Sequence, residues 1–266
     1  MTNSHSGVSP SSFLLTIITI VKDDPQGLQR TMFSLQHCLD ASFQWLIIDS
    51  SSNKNEVKTL LNSSAATYDY EWVEPAGIFS AMNSGLQLAQ GEYSWFMNAG
   101  DTLYSAGSLD DVCETLATRP VWAYGQVAFR GQSGRVSIPK PFDYQVAKRR
   151  SFSQGRFPPH QGTVARTDVL QHLGGFDESY AVAADYSMML KLSLLGDPVE
   201  SRGVWADFYE GGMSTVQWRH AIHEFHRARL DVLRPSGLNL VKERFAVIRE
   251  LLRQSVGRLF KRVRGH

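Results

Sequence analysis

The chain has 266 residues, 42% of them hydrophobic, and a formal net charge of +1. That length buries one large core, so a single α/β domain with a helical appendage is expected and a disordered protein is excluded. The near-neutral balance argues against a nucleic-acid partner, because neutralising phosphates takes a dense Lys/Arg surface.

Residues 1–12, "MTNSHSGVSPSS", are polar and carry no Lys or Arg. They lack the charged start of a signal peptide and read as a disordered tail. The apolar run "FLLTIITIV" is too short to cross a bilayer, which takes about 20 residues, and reads as a buried β-strand. Cys38 and Cys113 show no C-x-x-C spacing, which suits a reducing compartment and argues against structural zinc; both are expected as core thiols. The expected location is the cytoplasm.

From there strands and helices alternate. In "KDDPQG" Asp24 can cap and Pro25 can open a helix carrying Leu28, Met32, Leu35 and Leu39 on one stripe. "FQWLIID" is a second strand ending on Asp49, and "SSSNKNE" leads into a helix holding Val57, Leu60 and Leu61. A third strand lies in "YDYEWVEP". "GIFSAMNSGLQLAQG" has Ile78, Met82, Leu86 and Ala89 at helical spacing, with Gly91 as the stop. "EYSWFMN" is the next strand, with Asp101 just beyond it.

Short buried strands separated by amphipathic helices imply right-handed crossovers and a mostly parallel sheet covered on both faces. Such sheets bind ligands at the carboxyl ends of their strands. Asp23 or Asp24, Asp49 and Asp101 should therefore converge on one edge, where grouped carboxylates repel unless a cation or hydrogen-bond donors sit between them. The plainer alternative is that each Asp caps the helix that follows. The fingerprint G-x-G-x-x-G is absent after the first strand, and no G-x-x-x-x-G-K-[ST] occurs. Without a glycine cradle, a divalent metal on one carboxylate is the simplest way to meet phosphate charge.

The stretches "ITIVKDDPQGLQRTMFSL", "FQWLIIDSSSN", "EPAGIFSAMNSGLQLAQGEYSWFMNAGD", "HQGTVARTDVLQHLGGFDESYAVAADYSMMLKL" and "GGMS" resemble the family 2 glycosyltransferases of the A-type fold, over roughly residues 13 to 215. The closest likeness is to the bacterial branch that builds exopolysaccharide, capsule or lipopolysaccharide. The resemblance implies a nucleotide-sugar donor, a divalent cation (Mg2+ or Mn2+) and inversion at the anomeric carbon. Residues 13–110 become the nucleotide-sugar-binding half and 111–215 the acceptor-binding, catalytic half.

Carried over position by position, "MNAGD" stands at the family's D-x-D. Asp101 matches the metal-reaching Asp, Asn98 replaces the first Asp as a neutral partner to the donor, and Gly100 replaces another. Asp49 falls where the neighbourhood reads the base, and a carboxylate accepting the imide hydrogen of uracil favours UDP. In "EPAGIFSAMNSG" both Asp residues of the family pattern are missing, with Ser80 at the second; Met82 and Leu86 read as core, and Asn83 as either core or donor contact. His160 and Gln161 match an "HQ" pair near the sugar or diphosphate. Asp177 reads as a turn residue.

In "SYAVAADYSMMLKLSLLG" the apolar Met188, Met189, Leu192 and Leu195 share a helix stripe, which sets Asp185 in the first turn, where the helix dipole keeps a carboxylate ionised. Its match to the family's "ADYD" makes it the expected catalytic base. "EGGMS" resembles a loop near the donor phosphates.

Residues 216–266 read as helices with a basic amphipathic end. His220, His223 and His226 lie three apart, unlike the i, i+4 pair of a zinc helix, and read as partly exposed residues. From Leu238 onward, Val241, Phe245, Ile248, Leu252, Val256, Leu259 and Val263 keep helical spacing among Lys242, Arg244, Arg249, Arg253, Arg258, Lys261, Arg262 and Arg264. Two readings stand: docking on the catalytic core with a solvated basic face, or binding to anionic lipid at the inner face of the cell membrane.

The function expected is inverting transfer to a hydroxyl of a surface glycan, carried on a polyprenyl diphosphate. Two alternatives come from other classes. A sugar nucleotidyltransferase would need a Gly-rich, basic loop after the first strand, where "VKDDPQG" offers only Lys22. A non-catalytic partner in a membrane glycan-assembly complex would fit the missing Asp residues at Ser80 and Gly100.

Overall fold

A computed structural model describes residues 13–36, 43–64, 66–131, 134–150, 152, 157–209 and 218–264, the side chains of Lys54, Trp218 and residues 256–264 excepted. The stretch 1–12, Cys38, Leu39 and the "GGMS" motif lie outside them.

The chain alternates as its periodicities require. β1 (Phe13–Val21) leads to α1 (Pro25–Leu35), β2 (Phe43–Asp49) to α2 (Lys54–Asn62), and β3 (Asp69–Trp72) to α3 (Ile78–Leu88), followed by β4 (Gly91–Phe96). Then come β5 (Thr102–Leu103), α4 (Ser108–Leu116), β6 (Trp122–Arg130), β7 (Val136–Ser137), α5 (Tyr144–Arg149), β8 (Thr163–Arg166) and α6 (Thr167–His172). The described chain continues with α7 (Ala184–Leu195), β9 (Val199–Tyr209), α8 (Trp218–Leu233) and α9 (Gly237–Arg264). Asp24 caps α1 by accepting from the Gly27 N–H, with Pro25 at the first helical position.

One nine-stranded sheet joins these elements in the order β3-β2-β1-β4-β8-β6-β9-β5, with β7 on β6. Through β3-β2-β1-β4 it is parallel, as the crossover helices dictate. Beyond β4 it is mixed: β8 runs antiparallel to both β4 and β6, while β6 and β9 are parallel. Both faces are covered, which is why β1 and β2 are mostly apolar and why a buried polar pair such as Thr16 and Gln44 is hydrogen-bonded. Ile18, Ile20, Leu46 and Ile48 point to the layer of α3, α6 and α7; Leu15, Ile17, Trp45 and Ile47 point to α1, α2 and α4.

Three expectations shift. Gly91 opens β4 instead of stopping the helix, because a side chain there would meet the Thr16 backbone nitrogen at 2.5 Å. Helix α7 is buried on nearly all sides between the sheet and α8, so Tyr186 and Leu190 join its core, and Leu195 at its free end is exposed. Cys113, expected in the core, is only partly buried on α4.

Candidate active site

The site assembles where β4 ends. Parallel pairing with β1 continues past the strand, with the N–H groups of Met97 and Ala99 donating to the carbonyls of Ile18 and Ile20. The chain then turns sharply: the Asp101 N–H donates to the Asn98 carbonyl at 2.9 Å, and Gly100 takes φ +100°. That conformation favours glycine and would strain an Asp, which gives a structural reason for the departure from D-x-D. Thr31 of α1 locks the turn, accepting from the Gly100 N–H and donating to the Asp101 carbonyl.

The second contributor is the 3₁₀ turn His160–Gly162, hung from β4 by a 2.7 Å hydrogen bond from the Trp95 indole to the Gln161 carbonyl. The third is Asp185 in the first turn of α7. Glu224 of α8 accepts from the N–H groups of Ala181, Val182 and Ala183 at 2.7–3.0 Å, fixing the loop that delivers Asp185. Burial opposes ionisation of Glu224, yet these three donors hold its carboxyl below the ordinary value.

A continuous line of contacts crosses the site. Asp185 Oδ2 lies 3.4 Å from His160 Nδ1, His160 Nε2 lies 3.3 Å from Asn98 Nδ2, and the Asn98 N–H donates to Asp101 Oδ2 at 3.2 Å. The neutral tautomer that satisfies both histidine contacts carries its proton on Nδ1, pointing at the Asp185 carboxylate. Asn98, His160, Gln161 and Asp185 all line one cleft of about 400 Å³. Phe79, Phe129, Phe157, Phe208 and Phe225 line the same cleft, an aromatic wall that suits the C–H faces of a sugar and keeps the dielectric low.

Asp101 lies directly beneath this floor, 4% exposed. Burial pushes its carboxyl up to about 7, against the opposing pull of the His160 ring, the Gln161 side chain and the Asn98 N–H; Asp207 adds to the rise. Asp207 itself pairs with Arg130. Among the described residues no three His, Cys, Asp or Glu side chains cluster as a metal cage. A single carboxylate nevertheless fits a cation that takes its other ligands from water and substrate phosphate. Among the described residues the buried Asn98 Oδ1 and Asp207 Oδ1 have no hydrogen-bond partner, which leaves hard oxygen donors on two residues that interact with Asp101.

Two expected donor contacts are placed elsewhere. Asp49 is fully buried, its oxygens accepting from the Ser51 N–H and the Tyr70 hydroxyl at 2.8 Å, so it shapes the β2 edge from beneath and presents no surface to a base. Asn83 is used up on the loop before α7: its Nδ2 donates to the Phe176 carbonyl and to Glu178, and its Oδ1 accepts from the Phe176 N–H at 2.7 Å. Met82, read as core, is buried and also lines the cleft. Asp23 sits at φ 52° and accepts from the Ser52 N–H. Asp177 is the turn residue expected, accepting from the Ser179 N–H. The sequence reading missed Glu224 and the aromatic wall; Phe residues carry no mark that separates a cleft from a core.

No family model matches the chain. An uncharacterized glycosyltransferase of Mycobacterium tuberculosis is 29% identical over 208 residues, 76% of this chain and 77% of that protein. The O-antigen biosynthesis protein RfbC of Myxococcus xanthus is 25% identical over 68% of this chain and 14% of its own length. Among solved structures, S. aureus TarS superposes with TM-score 0.60 at 15% identity, covering 89% of this chain and 70% of that one. The mannosyltransferase PcManGT of Pyrobaculum calidifontis superposes with TM-score 0.62 at 16% identity, covering 84% and 65%. The motifs, the sheet order and these likenesses agree: the chain is similar to glycosyltransferases and shares the α/β fold of its solved neighbours, whose sheet is flanked by helices.

Proposed function

We propose that this protein is a glycosyltransferase that moves a sugar, with inversion, from a nucleotide-sugar donor to a hydroxyl of a growing surface glycan carried on a polyprenyl diphosphate. The observation that carries the reading is the line Asp185–His160–Asn98–Asp101, which links a carboxylate lining the cleft to a second one buried beneath its floor. Asp185 takes the acceptor proton while the acceptor oxygen forms its bond to the anomeric carbon. The bond from that carbon to the phosphate oxygen breaks on the opposite face, and its electron pair leaves with the diphosphate. The His160 Nδ1–H aims the carboxylate, and the Phe wall excludes water that would compete with the acceptor. A divalent cation, Mg2+ or Mn2+, bound by Asp101 with Asn98 Oδ1 nearby, would offset charge gathering on the departing diphosphate.

Solved neighbours support this donor class: TarS has been seen with UDP and with UDP-GlcNAc, and PcManGT with GDP-Man and Mn2+. With Asp49 buried, the preference for UDP rests on the TarS complexes alone. The O-antigen relative supports a surface glycan as product. The test is a thermal-shift panel of UDP, GDP, CMP and dTDP sugars, with and without Mn2+, since a ligand selective for the native state raises the melting temperature. A manganese-dependent shift with UDP sugars is expected. Silence across the panel would overturn the enzymatic reading in favour of a non-catalytic relative.

A further inference from the structure

Helix α9 has two opposite faces. Its inner face packs on α8: Ala246 and Val247 are buried, and Glu243 accepts from Arg229 at 2.6 Å and contacts His226 at 3.0 Å. At 100° per residue, Leu238, Val241, Phe245, Ile248 and Leu252 fall on a stripe about 180° from Glu243, Ala246 and Val247. All five are exposed, Leu238 by 71% and Phe245 by 65%. The two readings of this segment are thus compatible, since the helix docks with one face and leaves a second apolar face open.

That open face carries cations. Lys242 and Arg249 flank the stripe, and a groove of about 1220 Å³ joins them to Arg149 and Arg150 at the end of α5 and to Leu194 at the end of α7. Among the described residues, no carboxylate lies within ion-pair distance of Arg149, Arg150, Lys242 or Arg249, whereas Lys148 in the same groove is paired with Asp197. Exposed apolar side chains bordered along one side by cations without an ion-pair partner fit a surface that is greasy within and anionic at its rim. The geometry points to an anionic lipid bilayer as the occupant. The α9 stripe enters the headgroup boundary and Arg149, Arg150, Lys242 and Arg249 meet lipid phosphates. Among the described residues no helix is long and apolar enough to span, so contact is with one leaflet.

The surface stands without the transfer chemistry. Arg229 lines this groove and donates at 3.1 Å to the hydroxyl of Tyr186, which lines the catalytic cleft. Groove and cleft thus meet through the Arg229–Tyr186 contact.

The test is co-sedimentation of the full chain with vesicles of phosphatidylcholine alone or with added phosphatidylglycerol. Binding to the anionic vesicles at least tenfold tighter, and weaker at high salt, is expected. Arg149→Gln with Arg249→Gln should lower that affinity by at least tenfold, and Phe245→Ser with Leu238→Ser by a similar factor. Phe245→Leu, which keeps the apolar contact, should bind like the parent. All these side chains are exposed, and an unchanged melting temperature confirms intact variants. Equal binding to both vesicle types, no binding at low salt, or variants that bind like the parent would overturn the proposal. So would vesicle-free self-association abolished by Phe245→Ser, which would make the stripe an interface between copies. None of these results depends on sugar transfer, so this proposal and the enzymatic one fail separately.

Discussion

The two sides of the cleft are built on different physical principles. On the β4 side, position comes from the sheet: backbone pairing with β1 carries the chain to Asn98, and a four-residue turn pinned by Thr31 sets Asp101. On the α7 side, no strand carries Asp185. Asp185 is positioned by side chains distant in sequence, Glu224 gripping the loop at 181–183 and Asn83 gripping Phe176. A sheet edge gives a rigid platform for charge, whereas a clamped loop gives a base whose aim depends on a few replaceable contacts. Changes on the β4 side should therefore alter ligand response, and changes on the α7 side should alter turnover or the loop.

The largest effect belongs to Asp185 itself. Asp185→Asn removes the proposed proton acceptor and keeps the shape, so the transfer rate should fall by about 10²- to 10⁴-fold. The thermal shift given by nucleotide with Mn2+ should stay as in the parent. A variant that loses both together would show that the two sides are not separable.

Asp101 offers the matching test on the sheet side. Its carboxyl titrates near 7 when folded, against 3.8 as the ordinary value, so the folded state holds this proton more tightly than the unfolded state. The group's contribution to stability is full below pH 3.8 and is lost as pH rises through 7. Asp101→Asn removes this dependence. In metal-free buffer at about pH 8 the variant should be more stable than the parent, by on the order of 4 kcal/mol. Around pH 4 the two should converge. The variant should also lose the manganese-dependent shift. Denaturant titrations at the two pH values, with and without Mn2+, check both points.

The same contrast governs what could be read in the sequence. β1, β2 and α1 were legible because short-range rules specify them: β-branched runs, then Asp24-Pro25 as cap and first turn. Asn98, Asp101, His160 and Gln161 were legible because they fall at the ends of recognisable stretches, and the structure does bring them to one place. Glu224 was hidden inside "HAIHEFH", where neighbouring histidines drew the eye. Its role depends on contacts 41 to 43 residues away in the chain. Asn83 and Asp49 were read as ligand contacts because motif position names a neighbourhood and not a direction. In the fold their polar atoms turn inward, to Phe176 in one case and to Ser51 and Tyr70 in the other.

Glu224 provides the next test. The residue is 6% exposed, and Glu224→Ala would leave three backbone N–H groups of the loop without an acceptor. A loss of about 3 kcal/mol is expected from equilibrium unfolding. Because its folded carboxyl is held below 4.5, its stabilising contribution is present above that pH and disappears as acid protonates it. Glu224→Gln, which keeps one acceptor oxygen, should fold better yet still turn over more slowly than the parent. Donor binding should be unchanged in both.

The smallest expected effect separates a clamp from a ligand contact. Asn83 spends its amide on both backbone groups of Phe176, so Asn83→Ala should cost about 2 kcal/mol through the two groups left unpaired. If the side chain served the donor instead, the variant would keep its stability and lose affinity for the nucleotide sugar. Urea unfolding together with a donor titration distinguishes the two outcomes. Asn83→Asp sharpens the result, because a carboxylate keeps the acceptor for the Phe176 N–H but loses both donated bonds and faces Glu178 at close range. The clamp reading requires this variant to be less stable than Asn83→Ala at neutral pH and to recover as acid neutralises the pair.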